Sequence, residues 1–400
     1  MKLLIVCQYY FPEQFLINEI APDLVKQGHE VTVLTGLPNY PSGTVPDEYK
    51  KGKKRDEIID GVRVIRCNEI GRKKGKIGLV LNYLSFCFFG CIKAKKLKEE
   101  FDLVFSYQLS PVFMALPAIA YKKKHRKPLF LYCLDIWPES AQAHVHNDKG
   151  FLYKLISKYS KKIYSQCDKI AVTSQPFIEY LSKVNGIDES KMVYIPQHAD
   201  DSMLNFNLEA EDNEIADFMF AGNFGKGQRL DIIIKAAALL KDKNNFKIHL
   251  VGDGSTKDTI KELVKAENLE DKVIFHGQIN RKDMPQYYKM ADALLITLRG
   301  NNFVGNTMPG KLQTYMTAGK PIFASINGAA KEVIEESGCG ACVGAEDSEG
   351  LASIMLDYIE NKEKYSQCGK KAQSYFKENF TREIYIQRLQ KQLENLLKEL

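Results

Sequence analysis

Short apolar, β-branched runs alternate with stretches of helical periodicity along nearly the whole chain. In the first half the strand-like runs are Leu3 to Cys7, Val31 to Thr35, Val62 to Cys67, Leu103 to Tyr107, Leu129 to Leu134, Ile170 to Thr173 and Met192 to Ile195. The second half repeats the alternation with Phe218 to Ala221, Lys247 to Val251, Val273 to His276, Ala293 to Thr297, Pro321 to Ser325 and Ala341 to Val343. Strands that are apolar throughout are covered on both faces, and strands separated by helices pair in parallel. The pattern predicts two doubly wound, Rossmann-like α/β domains.

Between the halves, Asp200 to Glu214 is polar, acidic and without periodicity. It reads as a linker at 201–215 between an N-terminal domain, 1–200, and a C-terminal domain, 216–380. From Arg382 to Leu400, Ile384, Ile386, Leu389, Leu393, Leu396, Leu397 and Leu400 fall at helical spacing, which predicts a terminal amphipathic helix over 381–400. The spacing does not say which domain it packs on. In open parallel sheets ligands bind beyond the carboxyl ends of the strands, so function is expected in a cleft between the halves.

Composition narrows the class. Four hundred residues that are 44% hydrophobic and 26% charged support ordinary packed cores and exclude collagen-like and low-complexity chains. Nine scattered cysteines suit a reducing, cytoplasmic compartment. Cys339 and Cys342 form a C-x-x-C without a second ligand pair, so no metal is assigned there. The run Leu3 to Cys7 is too short for a signal peptide and reads as a first strand.

Net charge is +6, but residues 50–127 carry 20 Lys or Arg against 7 Asp or Glu. The uncharged run Ile77 to Ile92, bracketed by Lys76 and Lys93, is shorter than the roughly 20 residues a spanning helix needs. Its basic flanks fit a helix lying on an anionic membrane surface, and equally a core helix with solvated lysines at its ends. No nucleic-acid recognition motif accompanies the basic clusters, so nucleic acid is not expected as a partner.

Three stretches carry candidate chemistry. Phe218 to Ala221 runs into Gly222-Asn223-Phe224-Gly225-Lys226-Gly227-Gln228-Arg229, where glycines and cations before a helix can receive a phosphate. The strand ending at Val251 leads into Gly252-Asp253-Gly254, which is either a nucleotide-approach turn or an ordinary one. Gly305 to Pro321 reads as a helix with Pro309 in its first turn, Asn306 or Thr307 as cap and Gly319 at its end; Lys311 at its start makes a diphosphate site. In the first half, Leu134 delivers Asp135-Ile136-Trp137-Pro138-Glu139-Ser140, two carboxylates four residues apart at a strand tip. They read as cleft-facing acid and base groups, or as Asp135 capping the next helix while Trp137 packs.

Together with Gln8 to Glu13, Gly28 to Thr35, Asn39-Tyr40-Pro41, Asp135 to Ser140, Gly222 to Lys226, Val251 to Gly254 and Pro309 to Tyr315, the whole chain resembles glycosyltransferase family 4 of the GT-B fold. The similarity is to the bacterial type that includes L-fucosamine transferases of surface polysaccharides. It implies a UDP-sugar donor on the C-terminal domain, an acceptor on the N-terminal domain, retention at the anomeric carbon and no cofactor. Asp135, Lys311 and Lys226 are implied as catalytic. Gly222, Asn223, Gly225, Arg229, Gly252, Gly254, Ile279, Asn306, Thr307, Pro309 and Thr314 are implied to bind the donor, and Gln14, Asn18, Asn39 and Glu139 the acceptor. The acceptor implied is a lipid-linked saccharide met at the inner face of the cell membrane.

The chain departs from the family where paired glutamates would fall on Asn306 and Thr314, where arginine and lysine would fall on Asn223 and Gln228, and where histidine would fall on Leu134. Phosphate charge is therefore expected from Lys226, Arg229 or Lys311. No Asp-x-Asp occurs, which leads to the expectation of activity without a metal. Two rivals share the architecture: a UDP-sugar epimerase, which needs no acceptor, and a sugar-nucleotide-binding subunit that has lost catalysis.

Overall fold

The computed structural model describes residues 1–73, 75–140, 150–209, 213–300 and 308–399. The chain forms two compact units, one of residues 1–195 with 386–400 and the other of residues 196–385. The segment read as a linker, 201–215, falls in the second unit, where Met203 and Leu208 are buried in the core. Its acidic composition hid these two apolar anchors.

The first unit is an eight-stranded sheet of β1 (Lys2–Val6), β2 (Glu30–Thr35), β3 (Asp56–Ile59), β4 (Val62–Arg66), β5 (Leu103–Gln108), β6 (Leu129–Cys133), β7 (Lys169–Val172) and β8 (Met192–Tyr194). Their order is β3-β4-β2-β1-β5-β6-β7-β8, and only β3 runs antiparallel to its neighbour. Helices α1 (Ile17–Lys26), α2 (Lys76–Lys96), α3 (Leu116–His125), α4 (Phe151–Tyr164) and α5 (Pro176–Asn185) fall between the strands. Strand β1, buried from Leu3 onward, lies between β2 and β5, as its unbroken apolar run requires. The hydrophobic pattern missed β3 because it is an edge strand with Ile58 77% exposed. A signal existed in Asp60-Gly61, both at positive φ, which form the two-residue hairpin turn into β4.

The second unit is an all-parallel sheet of β9 (Ala216–Ala221), β10 (Phe246–Val251), β11 (Val273–Gly277), β12 (Ala293–Thr297), β13 (Ile322–Ser325) and β14 (Gly340–Val343), ordered β11-β10-β9-β12-β13-β14. It carries α6 (Leu230–Leu239), α7 (Lys257–Ala266), α8 (Met284–Met290), α9 (Gly310–Ala318), α10 (Ala329–Ser337), α11 (Ser348–Glu360) and α12 (Cys368–Asn379). The last helix, α13 (Arg382–Lys398), belongs to the first unit from Ile386 onward, with Leu389 and Leu393 fully buried. The chain leaves β9 toward β10 on one side and resumes on its other side at β12, so the strand order reverses at the tip of β9. Such a reversal leaves a crevice where connecting loops diverge, the usual ligand position in open α/β sheets.

Candidate active site

The loops after β9 and β10 touch at their backbones. At Gly252, whose φ is +135°, a Cβ would stand 1.9 Å from the Gly222 carbonyl oxygen, so only glycine permits this approach. The Gly222 amide donates to Val251 O at 2.9 Å and the Phe224 amide to Asp253 O at 2.8 Å, which lace the two turns together. The Asn223 side chain lies over Gly225 and Gly254. Beside them opens a hollow of about 490 Å³. Gly222, Asn223, Gly252 and Ile279 of the expected donor set line it. Gln278, Arg281, Met284 and Tyr288 also line it, and the sequence pattern did not single out any of these four.

Lys311 reaches the same place from the first turn of α9. A Cβ on Gly222 would lie 2.9 Å from Lys311 Cε and 3.0 Å from Nζ. The ammonium sits 3.3 Å from the Phe220 ring centroid and donates to Gln228 Oε1 at 2.8 Å. Burial drives it well below the usual lysine range, and among the described residues no carboxylate pairs with it. A cation in such a pocket lacks its counter-charge, and the helix N-terminus beside it adds partial positive charge. The site is therefore suited to an anion.

Tyr315, one turn further along α9, fixes this register. Its hydroxyl accepts the Ala221 amide at 2.7 Å and donates to Ala221 O at 3.1 Å, clamping the end of β9 to the helix. Nothing in the sequence pattern distinguished this tyrosine from a core residue.

Several expected donor residues lie differently. Arg229 is not free to carry phosphate: its guanidinium forms a two-point pair with Asp231 at 2.8 and 2.9 Å and a further pair with Glu346. Pro309 does not occupy the first turn but precedes it in extended conformation, and α9 begins at Gly310. The Thr314 hydroxyl donates back to Gly310 O at 3.1 Å. Lys226 stands exposed on a short 3-10 turn with Gly225 before it. Asn306 and Thr307 lie outside the described residues.

In the first unit, Gln14 and Asn18 line a hollow of about 320 Å³ with Phe15, Leu16 and Glu19. Asn39 does not reach it as a free contact. It is 2% exposed, its amide side chain donates to Leu37 O at 2.8 Å, and its Oδ1 accepts from the Arg72 amide at 2.9 Å. Its place is structural, because a buried amide in a loop must satisfy its own polar atoms. The Asn39 and Tyr40 amides both donate to Glu13 Oε1, at 2.8 and 2.6 Å. Burial pushes the Glu13 carboxyl up to about 7 against these bonds.

Asp135 lies partly buried just past β6 and accepts the Ser140 hydroxyl. Its carbonyl accepts Gln108 Nε2 at 2.9 Å, so the backbone behind the carboxylate is fixed. Glu139 accepts the Tyr153 hydroxyl at 3.4 Å. Trp137 is 7% exposed and donates through Nε1 to Ser110 Oγ at 3.1 Å, a packing role. All nine cysteines are free, and among the described residues no group of three or more His, Cys, Asp or Glu is set to hold a metal.

Comparison with known proteins agrees with this architecture. Residues 15–202 match the family described as glycosyltransferase family 4, and residues 204–375 match glycosyl transferases group 1. An uncharacterized 41.2 kDa protein in the cps region of Klebsiella pneumoniae is 23% identical over 328 residues, covering 78% of this chain and 85% of that protein. Sucrose-phosphate synthase from Thermosynechococcus elongatus superposes with a TM-score of 0.70 at 16% identity, covering 100% of each chain. Anabaena HepE, solved in complex with UDP, superposes with a TM-score of 0.69 at 17% identity, covering 99% of this chain and 100% of the other. The chain is thus a glycosyltransferase of the GT-B fold, with a family 4 domain at its amino end and a group 1 domain at its carboxyl end.

Proposed function

We propose that this enzyme transfers a sugar from a UDP-linked donor to a lipid-linked saccharide, with retention at the anomeric carbon and without a divalent cation. The observation that carries the reading is the Lys311 ammonium, buried without a carboxylate beside Gly222 and the hollow of the second unit. A diphosphate there supplies the missing charge, and the loop amides and α9 stabilise the leaving group as its charge grows. The hollow lined by Ile279, Arg281 and Tyr288 takes the nucleoside. The UDP complex of HepE, which shares the fold, supports this choice of nucleotide.

In the transfer, the acceptor oxygen bonds to the anomeric carbon on the face from which the diphosphate departs. The bond between that carbon and the phosphate oxygen breaks, and the hydroxyl proton passes to the leaving diphosphate. Asp135 orients the acceptor hydroxyl, with Gln14, Asn18 and Glu139 on the acceptor side. The sequence similarity to L-fucosamine transferases favours an N-acetylated deoxyhexosamine as the donor sugar. The cps-region relative favours a product in surface polysaccharide, made at the cytoplasmic face of the cell membrane.

The test is incubation of the purified enzyme with UDP-, GDP- and dTDP-sugars, each with and without lipid-extract acceptors. UDP release that requires acceptor, with the sugar on lipid, supports the reading. Isomerised sugar without acceptor would identify an epimerase instead, and UDP binding without turnover on any acceptor a binding subunit.

A further inference from the structure

Two helices of the first unit expose apolar stripes edged with lysine. On α2, Ile77, Val80, Leu81, Leu84, Phe88 and Ile92 recur at helical spacing, with exposures from 38% at Ile92 to 78% at Ile77. They line one side of the helix for about 22 Å at 1.5 Å per residue. On α4, Phe151 is 82% exposed, Leu152 54%, and Leu155 and Tyr159 continue the stripe. Lys95 and Lys96 end α2, and Lys154, Lys158, Lys161 and Lys162 stand exposed along α4. Neither helix contains an Asp or Glu. Both pack on the same short helix, Val112–Ala115.

We infer that the α2 and α4 faces together seat the enzyme on an anionic lipid bilayer, with both helices lying in the interface rather than crossing it. Helix α2 runs past the uncharged stretch Ile77 to Ile92 to a length of 21 residues, and by length and composition alone it is enough to cross a membrane. Its other side is tied down. Phe86 and Ala94 belong to the core of the unit, and Asn82 is fully buried, donating to Glu69 Oε1 at 2.6 Å and Ile70 O at 2.8 Å. Gly90 lies against Pro117, where a Cβ would stand 2.7 Å from Cγ. Crossing a bilayer would strip these partners away, whereas lying on it covers only the stripe. Aliphatic and aromatic side chains flanked by lysines match the acyl boundary and anionic headgroups of such a surface. The inference gives the lipid-linked acceptor of the proposed function its meeting place, and rests on that reading for its purpose alone.

The test is co-sedimentation of the full chain with phosphatidylcholine vesicles, with and without phosphatidylglycerol, in the absence of sugar. Binding is expected only with the anionic lipid and is expected to weaken at high salt. Phe88→Glu and Phe151→Glu should each lower vesicle binding roughly tenfold or more, since each puts a charge in place of an exposed ring that the bilayer would bury. Leu239→Glu, a change at an apolar residue 59% exposed on the second unit, should leave it unchanged. If Phe88→Glu does not fold, Phe151→Glu decides alone. No binding to anionic vesicles at low salt, or wild-type binding by both variants, would overturn the inference. So would a dimer that Phe88→Glu dissociates while vesicle binding persists, because the face would then belong to a second copy. Failure here with sugar transfer to a soluble acceptor intact would leave the proposed chemistry standing.

Discussion

Lys311 Nζ donates to Gln228 Oε1 at 2.8 Å, a neutral amide where a carboxylate would have cancelled its charge. Family resemblance places a lysine at position 228. Here the cation instead arrives from α9, and the glutamine holds it without neutralising it.

Changing either partner should move nucleotide affinity. Lys311→Met is expected to weaken UDP binding by about 1.5–3 kcal/mol, the range for a hydrogen bond to a charged group. Gln228→Glu is expected to weaken it as well, while raising the stability of the free enzyme by pairing the buried ammonium. Because burial lowers the Lys311 pKa, the unfolded chain holds the extra proton between the folded and unfolded values, so this group's contribution to stability rises with pH across that window. Within that window UDP binding should take up protons, because a bound diphosphate favours the charged amine, and the uptake should be visible by calorimetry in buffers of different ionisation enthalpy. Unchanged UDP affinity in both variants would remove Lys311 from the donor site.

Tyr315→Phe should leave the Ala221 amide without an acceptor in the interior. The expected cost is about 1–3 kcal/mol in urea unfolding, with weaker UDP binding as the β9 tip and α9 lose register. Full stability with weaker UDP binding would show that the hydroxyl acts on the ligand rather than on the clamp.

Glu13 carries a pH signature. Its folded pKa, about 7, lies above the ordinary carboxylate value, so the folded state binds the extra proton between roughly 4.5 and 7. Stability from this group is greatest below that window and declines as pH rises through it. Glu13→Gln keeps an acceptor for the Asn39 and Tyr40 amides and removes the ionisation. The variant should gain up to about 3 kcal/mol relative to the wild type between pH 5 and pH 8. A gap that stays constant across that range would show that the carboxyl does not titrate there.

Chelation tests the proposed metal independence. Turnover with UDP-sugar is expected to persist in excess chelator, because Lys311, the loop amides and the α9 terminus are assigned the charge that a divalent ion supplies in other enzymes. Loss of turnover restored by one added metal would require a cation at the diphosphate.

The central strands of both sheets were readable because they are buried on both faces and so carry long apolar runs, as in Leu3 to Val6 and Phe218 to Ala221. Edge strand β3 lacked that signature. The glycine turns at 222 and 252 were readable because a missing side chain is a strong local mark. Arg229 misled because a cation near a glycine loop looks the same whether it faces a ligand or, as here, Asp231 and Glu346. Asn39 misled similarly, its polar atoms being used by the loop that carries it. Gln278, Arg281, Met284 and Tyr288 share a wall only because β11 and α8 fold beside the β9 and β10 loops.

The sequence by itself determined the sheet strands other than β3, the alternating helices and the positions where the backbone must turn tightly, because these depend on neighbours two to four residues away. Only tertiary structure decided which cations remain unpaired, which side chains share a hollow, and that the end of α13 returns to the first unit. Those outcomes depend on partners distant in the chain, such as Lys311 with Gln228 and Tyr315 with Ala221, and no local periodicity encodes the distance between them.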